Sequence, residues 1–190
     1  MTTRLWLVRH AETDWSNSGR LCGWTDIPLS ARGRDHARAL AWTLAGRRFT
    51  SVWSSDLRRA VETARLSYGN PTTDPRLREL SFGALEGFRW AELAPAMQAA
   101  MLTFDGFAAP DGESVDALRQ RVLAFVADLP PGDHLVFTHG GVIRLLLRRA
   151  GSDRTVDPCG VAILTAEDLR VAAGSYSGVT RLFAQSDAPK

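Results

Sequence analysis

The chain has 190 residues, 45% apolar and 23% charged, and its 23 basic against 21 acidic residues leave a formal net charge of +2. That length suits one domain with a substantial core, since domains run to roughly 100–200 residues, and the balanced composition excludes a disordered chain. The basic residues are scattered arginines, with Lys190 the only lysine, which excludes the basic stripe of a nucleic-acid binder.

Cys22 and Cys159 lie far apart and form no Cys-x-x-Cys pair, so neither a disulfide framework nor a zinc site is expected. No basic segment followed by a long apolar one opens the sequence, and no run approaches the ~18 apolar residues of a membrane span. The expectation is a cytoplasmic enzyme with two free thiols and no cofactor. No nucleic-acid or membrane partner is expected, and a homodimer is left open.

In chain order, Leu5-Trp6-Leu7-Val8 predicts a buried strand, which puts Arg9 and His10 at its carboxyl end. Open α/β sheets bind their ligands there. A guanidinium can grip two phosphate oxygens in a planar fork while a neutral imidazole attacks phosphorus. Residues 14–29, rich in Ser, Asn, Gly and Asp, read as a structured loop. Ser30 reads as the N-cap of a helix with Ala37, Leu40, Ala41 and Leu44 on its stripe, stopped near Gly46.

Ser51-Val52-Trp53-Ser54 predicts a short strand, and Asp56 is the expected cap of a helix carrying Leu57, Ala60, Val61, Ala64 and Tyr68. Arg58 and Arg59 fall in that helix's first turn, where the helix dipole disfavours a cation unless an anion is near. Residues 70–75 read as a turn-rich connection. From 81 to 112, glycines and prolines punctuate short helical pieces, which reads as a lid inserted between core elements.

Residues 114–129 predict the cleanest helix, with Val115, Leu118, Val122, Phe125, Val126 and Leu129 on one stripe. Leu135-Val136-Phe137 predicts a buried strand, followed by Thr138-His139-Gly140-Gly141 and a helix holding Val142, Leu145 and Leu146. A second histidine thus sits at a strand end beside a helix N-terminus, whose free N–H groups favour an anion. Residues 161–164 and 169–173 read as late strands. The alternation predicts an α/β fold, a three-layer α/β/α sandwich around a mostly parallel sheet. It forms a single domain over 1–185, with the lid at about 81–112 and a frayed tail at 186–190.

Five pieces occur together and in order: Leu7-Val8-Arg9-His10-Ala11-Glu12-Thr13; Gly23-Trp24-Thr25-Asp26-Ile27-Pro28-Leu29-Ser30; Ser54-Ser55-Asp56-Leu57-Arg58-Arg59-Ala60 with Thr63-Ala64; Arg78-Glu79-Leu80-Ser81-Phe82-Gly83; and Thr138-His139-Gly140-Gly141. On these pieces the chain resembles the histidine phosphatase superfamily, the phosphoglycerate mutase-like group, along nearly its whole length. Within that group it looks most like the α-ribazole-5′-phosphate phosphatases of cobalamin synthesis. The resemblance implies that His10 is the nucleophile that becomes phosphorylated, with Arg9, Arg59 and His139 around the transferred group. It implies that Glu79 is the proton donor to the leaving oxygen and later the base for water.

Thr13, Ser16, Gly23 and the Gly140 N–H are implied as further phosphate or substrate contacts, and no metal is implied. Two departures stand out. Ala11 replaces the family's usual glycine, and Ser16 replaces the usual asparagine after the loop tryptophan, with Asn17 one residue later as the other candidate for that contact. The implied activity is a metal-independent phosphomonoesterase whose partner is a small-molecule phosphate ester. A phosphoglycerate mutase and a non-catalytic phospho-ligand binder are the alternatives. Trp24, Phe82, Trp90 and Phe104 are candidate platforms for a nucleotide-like base.

Overall fold

The computed structural model describes residues 2–170 and 182–183 of the chain. Its strands are β1 (Arg4–Arg9), β2 (Ser51–Ser54), β3 (Thr72–Thr73), β4 (Asp133–Thr138), β5 (Val161–Thr165) and β6 (Leu182–Phe183). Its α-helices are α1 (Asp14–Asn17), α2 (Ala31–Leu44), α3 (Arg58–Ser67), α4 (Pro95–Thr103), α5 (Val115–Ala127), α6 (Gly140–Arg149) and α7 (Ala166–Arg170). The strands form one sheet in the order β3-β2-β4-β1-β5-β6. β1, β2, β3 and β4 pair in parallel, while β5 runs antiparallel to β1 and β6 antiparallel to β5.

The sheet is covered on both faces, as the apolar runs of its central strands require. Side chains alternate across a strand. Leu5 and Leu7 of β1 therefore join one core, with Leu118, Val122 and Phe125 of α5 and Val142, Ile143 and Leu146 of α6. Trp6 and Val8 join the other, with Ala37, Leu40 and Leu44 of α2 and Ala64 of α3. Burying one leucine or valine contributes about 1.5–3 kcal/mol, so this double-sided strand anchors both layers. The expected three-layer α/β/α sandwich is the observed architecture.

Helix starts follow their caps where the cap is local. Ser30 accepts from the Gly33 N–H at 3.0 Å and Ser114 from the Ala117 N–H at 3.1 Å, opening α2 and α5. The expected cap of α3 is overturned, because Asp56 points away to form a two-bond ion pair with Arg78 at 2.5 and 2.7 Å. The Arg58 N–H at the start of α3 donates instead to Asp26 from the distant loop, at 2.8 Å. A bidentate guanidinium satisfies a carboxylate better than one amide does. Residues 70–75, read as connection only, contain the edge strand β3.

Within the inserted segment, 3-10 turns cover Gly83–Leu85 and Trp90–Glu92, and Pro95 at the first turn of α4 starts the longer helix. The late strand read at 169–173 is also overturned in its described part, since Leu169 and Arg170 close α7. Asp168 accepts from the Thr165 N–H at 2.8 Å, a local turn that bends the chain straight from β5 into helix. The rest of that reading, and the tail at 186–190, lie outside the described residues.

Candidate active site

β1 and β4 are neighbours whose following helices leave on opposite faces: α2 lies in the core with Trp6 and Val8, and α6 in the core with Leu5 and Leu7. The crevice at their carboxyl ends is the topological switch point of the sheet, the place where α/β folds bind ligands. The His10 N–H donates to the Thr138 carbonyl at 2.9 Å, which extends the ladder one residue and carries His10 up to His139. The two imidazole centroids are 5.1 Å apart, edge to face.

His10 is almost wholly buried, and its Nδ1 lies 2.7 Å from the Ala11 carbonyl oxygen. A carbonyl can only accept, so Nδ1 carries the proton and Nε2 keeps its lone pair. Burial first, and then the Arg59 and Arg9 charges, hold this imidazole well below its ordinary pKa, against the opposing pull of the Ala11 bond. His139 is likewise pushed well down by burial and then by Arg59. Both rings are neutral at pH 7.

Ala11 is buried, and its N–H donates to Thr63 Oγ1 at 2.9 Å, while that hydroxyl donates to the Arg59 carbonyl at 2.7 Å. A methyl group is therefore accommodated where the resemblance favours glycine. The same contact ties the turn after His10 to the helix bearing Arg59. Thr63, quoted from the sequence as part of the piece that ends Thr63-Ala64 but given no role there, is thus a supporting residue of the site.

Arg59 is 0% exposed although it lies in the first turn of α3. Its guanidinium donates to the carbonyls of Gly23 at 2.6 Å and Thr25 at 3.1 Å. Arg9 donates to the Val156 carbonyl at 2.8 Å. Arg9 Nε, Arg59 Nε and both ring nitrogens of His139 are buried without a protein partner among the described residues. An unmet buried polar group costs about 1–3 kcal/mol. Two guanidinium N–H groups and the one N–H of a neutral imidazole around one crevice suit an oxyanion that accepts from them.

Glu79 completes the rim. Its Oε1 accepts from the Leu80 N–H at 2.9 Å and its Oε2 from the Gly141 N–H of α6 at 3.0 Å. A Cβ at Gly141 would collide with that carboxylate, so glycine there admits Glu79 to the helix N-terminus, whereas one at Gly140 would meet the Arg9 guanidinium at an ordinary 3.5 Å. The Gly140 N–H, at the first helical position, has no partner within the helix. The Glu79 carbonyl accepts from Trp24 Nε1 and from Arg121, each at 2.8 Å.

Arg121 also donates to the carbonyls of Arg76 and Arg78, and its fork is completed by Glu113 at 2.6 and 2.7 Å. Neither Arg121 nor Glu113 was singled out from the sequence. The available signal was an arginine on the flank of the apolar stripe of α5.

The remaining expected contacts have local partners. Thr13 caps α1: its hydroxyl accepts from the Ser16 N–H at 3.1 Å, and Ser16 Oγ in return accepts from the Thr13 N–H at 2.9 Å and donates to the Thr13 carbonyl. Ser16 is thus engaged in a capping box, and Asn17 is exposed on the same helix. Gly23 serves through its carbonyl on Arg59. Phe104 is buried beneath Arg144, with the guanidinium 4.9 Å from the ring centroid, and so is no base platform. Trp24 is half exposed, with Arg78 stacked 5.0 Å from its centroid. Among the described residues no cluster of His, Cys, Asp or Glu could hold a metal ion, and no helix is long and apolar enough to cross a membrane.

The model of the histidine phosphatase superfamily (branch 1) matches residues 5–171. The probable phosphoglycerate mutase GpmB of an Enterobacter species is 37% identical over 150 residues, covering 72% of this chain and 69% of that one. The adenosylcobalamin/alpha-ribazole phosphatase of Escherichia coli is 35% identical over 158 residues, covering 77% and 78%. A solved phosphoglycerate mutase from Thermus thermophilus superposes with a TM-score of 0.80 at 46% identity, over 85% of this chain and 92% of that one. A match over nearly the whole sandwich, with the Arg9-His10 pair and His139 brought together at its switch point, means that the chain belongs to the histidine phosphatase superfamily, branch 1.

Proposed function

We propose that this protein hydrolyses a small phosphate monoester through a phosphohistidine on His10. The observation that carries the reading is the tautomer of His10: Nδ1 is committed to the Ala11 carbonyl, so a neutral Nε2 is presented among buried, unpartnered donors of Arg9, Arg59 and His139. In the first step the Nε2 lone pair forms the N–P bond while the P–O ester bond breaks. The leaving oxygen keeps that electron pair and takes a proton from Glu79. In the second, water attacks phosphorus and gives a proton to the Glu79 carboxylate, and the N–P electrons return to Nε2 as inorganic phosphate leaves. Charge spread over the three equatorial oxygens in transit is met by fixed positive and N–H groups, which is most of what phosphoryl transfer needs.

The shortness of the inserted segment at 81–112 favours hydrolysis, because a mutase must shield its phosphohistidine from water. The mutase reading is kept by the named relatives among which the chain falls. For substrate, the alpha-ribazole phosphatase relative and the half-exposed Trp24 at the rim favour α-ribazole 5′-phosphate over a sugar or glycerate phosphate.

The test is rapid quenching with labelled substrate in the presence of EDTA. An acid-labile phosphate on His10, absent in His10→Ala, with net phosphate release is expected. Transfer between positions of phosphoglycerate without release would replace this reading by the mutase. A preference for α-ribazole 5′-phosphate over 3-phosphoglycerate below about tenfold in kcat/KM, ~1.4 kcal/mol of discrimination, would remove the nucleotide-like substrate.

A further inference from the structure

Glu86 follows the 3-10 turn Gly83–Leu85 in the inserted segment and reaches back to the loop 22–25. Its Oε1 accepts from the N–H groups of Trp24 at 2.8 Å and Phe82 at 3.2 Å, and its Oε2 from the Thr25 N–H at 2.7 Å and the Thr25 hydroxyl. The carbonyls of that same loop, on Gly23 and Thr25, hold the Arg59 guanidinium. No carboxylate pairs with Arg59 among the described residues. This division matters physically. A carboxylate placed directly on Arg59 would orient it but neutralise the charge that the phosphoryl oxygens need, whereas neutral carbonyls orient it and leave the charge available. Gly23 makes the arrangement possible, because a Cβ there would collide with Glu86 Oε1 and the Leu80 carbonyl.

We propose that Glu86 is a positioning residue that acts through Arg59, its carboxylate fixing the loop whose carbonyls aim that guanidinium at the transferred phosphoryl group. The proposal rests on the phosphoryl-transfer reading of the site. A second path out of the same loop exists, since Trp24 Nε1 meets the Glu79 carbonyl, and the test must separate the two.

The experiment is a double-mutant cycle of Glu86→Ala and Arg59→Ala, read by turnover of an aryl phosphate and an alkyl phosphate and, independently, by calorimetric affinity for inorganic phosphate. Glu86→Ala should lower kcat/KM about 10–100-fold, somewhat less than the ~10²–10³ for outright loss of a charge-stabilising donor. The loss should be equal on both esters, and phosphate affinity should fall as well. In the Arg59→Ala background the same change should cost less than about threefold, because residues acting as one unit are not additive. Full additivity overturns the proposal, and a loss confined to the alkyl ester moves the action to Glu79. If calorimetry shows Glu86→Ala unfolded, Glu86→Gln, which keeps the volume and one accepting oxygen, carries the cycle. The phosphate-affinity cycle reads the coupling even if no ester is turned over, so failure of the activity reading is distinguishable from failure of this one.

Discussion

Two backbone amides, from Leu80 and Gly141, hold the Glu79 carboxyl at the N-terminus of α6. In the proposed mechanism, where it is the proton donor, it matters in proportion to how poor the leaving group is. Glu79→Gln should slow release of a sugar alkoxide by about 10²–10⁴, the usual contribution of a general acid, and slow an aryl phosphate far less. Equal losses on both esters would show that Glu79 only orients. The neutral His10 makes a separate prediction. Because burial and two arginines hold its pKa well below the ordinary value, kcat/KM should stay level as pH falls through about 6.5, where an ordinary histidine titrates, apart from the change due to the ester's own second ionisation at about 6. A His10 imidazole resonance that titrates at about 6.5 in NMR would mean that the imidazole gains its proton there after all.

The turn between β1 and α2 shows how closely the elements are set. The Ser30 N–H donates to the Glu12 carbonyl at 3.0 Å, which brings the start of α2 onto that backbone. Gly33, one turn into the helix, has room for no side chain, because a Cβ there would overlap the Glu12 carbonyl. Helix propensity alone would favour alanine by about 1 kcal/mol. The steric cost of overpacking against backbone is about 1–3 kcal/mol and cannot be relieved by a rotamer. Gly33→Ala should therefore lower stability in urea unfolding, and an unchanged or raised midpoint would mean that α2 can shift without loss.

Across the whole chain, stability should depend on pH through the two neutral histidines. In the unfolded chain His10 and His139 titrate near ~6.5, and in the folded protein both lie well below that, chiefly through burial. The folded state then binds fewer protons than the unfolded one in this window. Stability is full above about pH 6.5 and falls as pH drops below it. Urea midpoints between pH 7.5 and 5.5 should decrease toward the acid end, before most carboxylates titrate. A flat midpoint over that span would contradict burial of the neutral rings.

The sequence by itself determined the layered fold and the strand ends at which the candidate site residues fall. An apolar run such as Leu5-Trp6-Leu7-Val8 is a buried strand wherever it pairs, caps such as Ser30 and Ser114 act within one turn, and Arg9-His10 and His139-Gly140 sit at strand ends by local pattern alone. What only the tertiary structure decided depends on partners distant along the chain. Asp56 left its helix for Arg78, and Asp26 took over the cap. Two departures were local instead: Ser16 caps α1 with Thr13 three residues away, and the turn between Thr165 and Asp168 opens the helix that residues 169–170 close. Glu86, Thr63 and the Arg121–Glu113 pair were placed behind Arg59, His10 and Glu79. A carboxylate or guanidinium near many backbone groups goes where the most complete set of partners can be met, and which groups converge is settled only when the sheet order brings their elements together.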